Sequence, residues 1–214
     1  MAYATKMTAA LTGATVRQLN HWRSQGGTGP LLIPEISSRP RALYSFRDIV
    51  ALRTCVRLRR FASLQRIRSA IDNLRDLGDR DHLASYRIIC DAAGNIQLVT
   101  RTEAVDLSRH PGQQQLFALD IAKVIEPFAP RAGVLVPDLF QPRPNVAVDP
   151  ETQGGFPVIA GTRVPYDVVA SLVAEGVAPD EISKYYPAVS AAAARDAIDF
   201  ARYVDSFDSA KKAA

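Results

Sequence analysis

The stretch Thr8–Trp22, TAALTGATVRQLNHW, constrains the fold more than any other part of the 214-residue chain. Its spacing predicts two short helices around a tight turn. Thr15 is placed to N-cap the second helix, and Gln18, three residues on, completes a capping box. Gly13 precedes the cap, where a turn between two helices often needs a residue without Cβ. Leu11, Val16, Leu19 and Trp22 fall on one side at helical spacing. Arg17, Gln18, Asn20, His21 and Arg23 are left to face outward. Such side chains hydrogen-bond base edges and phosphates in a major groove. The same pattern also suits a plain amphipathic hairpin with a solvated face, and charge helps to separate the two.

Residues 1–80 carry 14 Lys and Arg against 5 Asp and Glu, whereas residues 81–214 carry 12 against 17. That asymmetry suggests a polyanion-binding head joined to a tail with another task. No apolar run approaches the roughly 18 residues of a membrane span, so no membrane partner is expected. The N-terminus lacks the pattern of a signal peptide. Cys55 and Cys90 stand far apart, which argues against a disulfide framework or metal site and fits a reducing cytoplasm. No cofactor is implied, and no nucleophile, metal or paired-carboxylate motif points to an enzyme.

After the first two helices, Pro30–Tyr44 reads as a two-strand wing with Arg39 and Arg41 near its tip, against phosphate or the minor groove. Ser45 and Asp48 open a further helix by capping-box spacing. Its apolar stripe includes Ile49, Leu52 and Val56, and its basic side Arg53, Arg57, Arg59 and Arg60. Another helix runs from Leu64 to about Leu77, stopped by Gly78. Tyr86–Cys90 and Ile96–Thr100 suggest a β-hairpin turning at Gly94–Asn95. Gln114–Phe117 suggests another strand and Asp120–Glu126 a short helix, so residues 81–128 form a small α+β adaptor. His82 and His110 are isolated and carry no site. Pro127, Pro130, Pro137, Pro142, Pro144 and Pro150 imply an extended polyproline linker over 129–147. Residues 148–207 then read as a short strand at Val158–Ile159 and three helices, opening at Pro165, Pro179 and Ser190. The glycines at 154, 155 and 161 lack the Lys-Ser/Thr pair of a phosphate loop, so nucleotide binding is not expected. Residues 208–214 are a disordered tail. The fold class is α+β, mainly α.

The run ALTGATVRQLNHW, the wing, and ALYSFRDIVALRTCVRLRRFASLQRIRSAI together resemble the MerR-type winged helix-turn-helix, over residues 1–80. This chain departs from that pattern at Asn20, His21 and Trp22, which replace Arg-aromatic-Tyr, and in the spacing of Arg41 from Tyr44. The resemblance implies DNA contacts from Thr15, Arg17, Gln18, Asn20, His21, Arg23, Arg39, Arg41 and Tyr44. Farther on, GFPVIAGTRVP followed by AEG, PDEI and YYPAVS resembles domain-of-unknown-function family 433. The two together resemble a VapB-type antitoxin. That implies a homodimer that represses its own operon on double-stranded operator DNA and neutralises a PIN-domain ribonuclease toxin. It would lie in the cytoplasm, associated with the nucleoid when bound to DNA. Arg143, Arg163, Arg195 and Arg202 would reach the toxin's metal-binding carboxylates through bidentate pairs. Arg163 serves equally as a brace to Asp167 or Asp180. The alternative is a stand-alone MerR-like regulator whose middle section senses a small ligand.

Overall fold

The computed structural model describes residues 2–24, 29–76, 87–91, 96–99, 104–106, 116–118 and 124–209. The architecture is mixed α+β. Strand β1 (Tyr3–Ala4) leads into helix α1 (Thr5–Thr12), and Gly13 ends α1 in the left-handed region at φ 77°. Helix α2 (Val16–Arg23) follows under the expected cap: Thr15 Oγ1 accepts from Gln18 N, and Gln18 Oε1 accepts from Thr15 N. Strand β2 (Leu43–Tyr44) pairs antiparallel with β1. Helix α3 (Phe46–Leu58) starts in a second capping box, from Ser45 and Asp48, and α4 (Leu64–Asp76) follows it. Each box contributes about 1 kcal/mol to its helix.

Helix α1 is buried from Met7 to Thr12, all but its first two residues. Its two buried threonines are satisfied locally, Thr8 Oγ1 donating to Ala4 O and Thr12 Oγ1 to Thr8 O. Small and self-bonded side chains let neighbours close on several sides. Helices α2 and α3 pack against it, as does the last helix of the chain.

The middle of the chain forms an antiparallel sheet of four strands, β3 (Arg87–Asp91), β4 (Ile96–Val99), β5 (Ala104–Asp106) and β6 (Leu116–Ala118), in the order β5-β4-β3-β6. The hairpin strands match expectation, β5 was not foreseen, and Ile96 of β4 is buried beside α4. The turn at Gly94–Asn95, the stop at Gly78, the start of the helix at Asp120, and His82 and His110 lie outside the described residues.

The proline-rich stretch 129–147 is not an extended linker. It forms a hairpin of β7 (Phe128–Arg131) and β8 (Val134–Val136), followed by β9 (Val146–Ala147), which pairs with β10 (Val158–Ile159). Phe128, Val136, Leu139 and Val146 between the prolines are buried. The proline density concealed a set of apolar residues large enough to repay ordering.

The chain ends in α5 (Tyr166–Ala174), a 3-10 turn at Pro179–Lys184 in place of the expected second helix, and α6 (Ala191–Ser209). Two residues expected in the tail, 208 and 209, thus belong to α6, and 210–214 lie outside the described residues. This unit shares one core with the helix-turn-helix. Tyr3 Oη donates to Gly155 O, Phe46 stacks on Phe140, and Lys6 pairs with Asp205 at 2.7 Å. A Cβ on Gly155 would lie 2.8 Å from Tyr3 Oη, so this glycine serves close packing.

Arg53, expected on a solvated basic side, is fully buried. Its Nε donates to Val124 O at 2.7 Å, Nη1 to Leu11 O at 2.6 Å, and Nη2 to Ile125 O and Glu126 O at 2.8 and 2.9 Å. Pro137 O accepts from both terminal nitrogens at 3.1–3.2 Å. Burial, with repulsion from Arg57, pushes its pKa down to about 9, and the group stays charged at neutral pH. Arg57 also turns inward, lying over the Phe128 ring at 4.3 Å and donating to Glu126 O. Arg53→Ala takes a donor from five carbonyls, of which Ile125 O keeps Leu139 N and Glu126 O keeps Arg57, so we expect a fall in stability of about 3–5 kcal/mol. The check is a lower guanidinium chloride midpoint with an unchanged slope.

Candidate nucleic-acid interface

The face of α2 opposite Leu19 and Trp22 carries the residues placed there by helical spacing. Arg17, Gln18, Asn20 and His21 are exposed, while Leu19 and Trp22 are buried and Val16 packs against the core. Thr15 caps the helix start, where free N–H groups and the helix dipole favour a phosphate. Gln18 is partly committed: its Oε1 serves the capping box, leaving Nε2 as a donor.

The wing segment is held against this helix at two points, the Trp22 carbonyl, which accepts from Leu31 N and Leu32 N at 2.7 and 3.3 Å, and the side chain of Arg23. Arg23 Nε donates to Asn20 Oδ1 at 3.1 Å, and its Nη1 to Ser38 O at 3.2 Å. Arg23 is therefore a tether between α2 and the wing rather than a free base reader. The wing is shorter than a two-strand ribbon, closed by a single bridge in which Ser37 and Leu43 exchange backbone bonds at 2.8 and 3.2 Å. Arg39 and Arg41 are exposed on either side of Pro40, which follows a cis peptide. At the wing's root the buried Asp48 accepts from Glu35 N and Ser45 N at 2.9 Å each. Asp48 was legible as a cap for its own helix. Its hold on Glu35, 13 positions earlier, was not.

Tyr44 departs from expectation. It is 1% exposed, its hydroxyl has no hydrogen-bond partner among the described residues, and burial pushes its pKa up to about 12. Strand pairing opposite Tyr3 turns the ring into the core and off the surface. The surface that remains combines Arg17, Gln18, Asn20 and His21 on the helix with Arg39 and Arg41 on the wing: donors for base edges flanked by cations for phosphate.

The four arginines expected to meet a protein partner do not form one cluster. Arg143 is engaged internally, paired with Asp199 at 2.5 Å and lying 5.1 Å from the Tyr203 ring centre. Those partners, across 56 residues of chain in the case of Asp199, withdraw it from a docking role. Arg195 pairs with Asp180 at 3.0 Å on the surface. Asp180 is thereby taken, and among the described residues Arg163 makes no ion pair with it or with Asp167. Arg163 and Arg202 are exposed or half-exposed on this unit. Arg195 and Arg202, seven residues apart on α6, share a face.

Among the described residues no group of three or more His, Cys, Asp or Glu could hold a metal, and no helix is long and apolar enough to cross a membrane. Cys55 is buried, its thiol pKa pushed up to about 12, which keeps it protonated.

A basic helix and wing on a capped two-helix scaffold define a helix-turn-helix of the winged type. Residues 3–74 match the family described as MerR HTH family regulatory protein, and residues 146–201 match the family described as protein of unknown function (DUF433). The chain thus carries a MerR-type helix-turn-helix domain at its N-terminus and a DUF433 domain at its C-terminus. Curated relatives include the uncharacterised HTH-type transcriptional regulators Rv1830 of Mycobacterium tuberculosis and Mb1861 of Mycobacterium bovis. Each is 33% identical over 113 residues, which is 52% of this chain and 49% of the relative. The chain therefore spans about half the length of the curated relatives it matches. A crystal structure of Rv2018 from Mycobacterium tuberculosis superposes with a TM-score of 0.51 at 16% identity, over 92% of this chain and 96% of the other. That likeness concerns the fold.

Because its hydroxyl is buried without a partner, Tyr44→Phe should leave duplex affinity unchanged and stability equal or higher by up to about 1 kcal/mol. Fluorescence anisotropy and denaturant titration read the two quantities separately.

Proposed function

We propose that this protein is a DNA-binding transcription regulator that represses its own operon as a homodimer. The observation that carries the reading is the continuous basic surface of α2 and the wing, joined by the Arg23–Ser38 bond. In a homodimer two such surfaces would meet successive major grooves of a near-palindromic operator, one helical turn apart or a multiple of it. On this reading the protein works in the cytoplasm, on the nucleoid when bound.

The finer reading is that the protein is also the antitoxin of a VapBC-like pair. Its supports are the resemblance to VapB-type antitoxins and the solvent-facing guanidinium groups of Arg163, Arg195 and Arg202 on the C-terminal unit. A PIN-domain ribonuclease holds its metal with carboxylates, which guanidinium forks can engage. A stand-alone regulator responding to a small ligand is the second reading. A cleft of about 420 Å³ supports ligand binding, but between the β7–β8 hairpin and α6, lined by Val134, Leu135, Pro137, Arg143, Tyr203 and Phe207, rather than in the middle section 81–128 where the sequence sets it. Pockets of that size accept small molecules.

Affinity for the duplex upstream of the gene should fall linearly in log–log form with salt, at a slope reflecting about six to ten phosphates per dimer. Arg17→Ala should weaken that binding by about 1–3 kcal/mol for each base hydrogen-bond pair it removes. An anisotropy titration over salt checks both, and a flat salt profile removes the head as reader. For the antitoxin reading, co-expression with the neighbouring gene's product should yield a complex that copurifies. Arg163→Glu with Arg202→Glu should release that product while duplex binding persists. Copurification unaffected by the double reversal moves the toxin site elsewhere.

A further inference from the structure

Three carbonyls at the C-terminal end of α1 and its turn each receive a donor from a different part of the chain. Ala10 O accepts from Tyr203 Oη of α6 at 2.9 Å, Leu11 O from Arg53 of α3 at 2.6 Å, and Gly13 O from Arg131 Nη1 of β7 at 2.9 Å. The last carbonyls of a helix lack partners within it and need such donors. Here the donors also determine where α2 starts, since Gly13 and Ala14 are all that separate α1 from the Thr15 cap.

The hairpin presses on the same turn. A Cβ at Gly13 would lie 2.7 Å from Val136 Cγ2 and 2.8 Å from Pro130 Cγ, so hairpin side chains occupy the space a larger residue would use. The hairpin is itself anchored, by Phe128 beneath Arg53 and Arg57 and by Pro137 O on Arg53. It falls between the two matched families, covered by neither the segment 3–74 nor the segment 146–201.

We propose that the β7–β8 hairpin and α6 are a brace for the reading helix, with Arg131 as the positioning residue that sets the angle of α2 and hence operator discrimination. This role rests on the DNA-binding reading. An eight-residue helix is about 12 Å long, so a tilt of about 10° displaces its far end by about 2 Å, enough to break base hydrogen bonds. Phosphate contacts by long, mobile arginines tolerate such a shift, so discrimination falls before overall affinity does.

The test uses the full chain with Arg131→Ala and Arg131→Lys. Trp22, the single tryptophan, is buried on α2 and reports that helix's packing without DNA. Arg131→Ala is expected to raise acrylamide quenching of Trp22 at least twofold. It should lower the affinity ratio between the duplex upstream of the gene and a scrambled duplex of equal length about tenfold, with an unchanged salt slope. Lysine can offer a donor to the one carbonyl, and Arg131→Lys should restore both readings. Quenching and discrimination unchanged in Arg131→Ala overturn the proposal, as does the same deficit in both variants. Should Arg131→Ala unfold, Tyr203→Phe, which removes only the bond to Ala10 O, must produce the same paired change or the brace is refuted. A wild-type protein that fails to distinguish the two duplexes refutes the DNA reading, while Trp22 quenching still decides the brace.

Discussion

The guanidinium of Arg53 makes six hydrogen bonds to five carbonyls drawn from three parts of the chain. It is surrounded by the carbonyls of Leu11, Val124, Ile125, Glu126 and Pro137 in place of an acidic partner. A buried cation is tolerated only when its hydration is replaced, and backbone dipoles converging on a planar fork do that at fixed angles. Those acceptors come from the end of α1, from the segment leading to β7, and from the residue after β8. One side chain on α3 therefore holds the backbone of the helix-turn-helix and the start of the C-terminal half in register.

The head and the C-terminal unit are in consequence not beads on a string. The stretch between them contributes Phe128, Val136 and Leu139 to the shared core, and α6 lies along α1. A polypeptide ending before residue 148 would uncover α1, whose small side chains are shaped for contact on several sides. The continuity of the core also gives a mechanical meaning to a domain with no assigned function. Whatever binds it acts on the structure that carries α2, and coupling between two sites in one packed body is reciprocal.

Local chemistry was legible where neighbours in sequence are also neighbours in space. Both capping boxes, the glycine at the α1–α2 turn, the exposed face of α2 and, to within a residue at each end, the two strands expected at 86–90 and 96–100 follow from spacing alone. Side chains that reach across the fold leave no such local signal. Arg53 and Arg143 have the composition of surface arginines, yet one is enclosed by carbonyls and the other is paired with Asp199 over Tyr203. Tyr44 carries a wing residue's position but a core residue's burial, because pairing with Tyr3 decides which way the strand faces. In 129–147 the prolines dominate the sequence pattern, whereas Phe128, Val136, Leu139 and Val146 among and beside them decide the structure by burying.

The amino-acid order alone therefore determined the reading head, because caps, turns and helical periodicity are interactions over three or four residues. It also determined the charge asymmetry that makes the first 80 residues the basic part of the chain. Only the tertiary structure decided which arginines remain on the surface and that the two terminal units share one core. Those outcomes turn on bonds such as Arg53 to Leu11 and Tyr203 to Ala10, between residues 42 and 193 positions apart. A one-dimensional pattern carries no record of such pairings, since any buried carbonyl is chemically equivalent until the chain has folded.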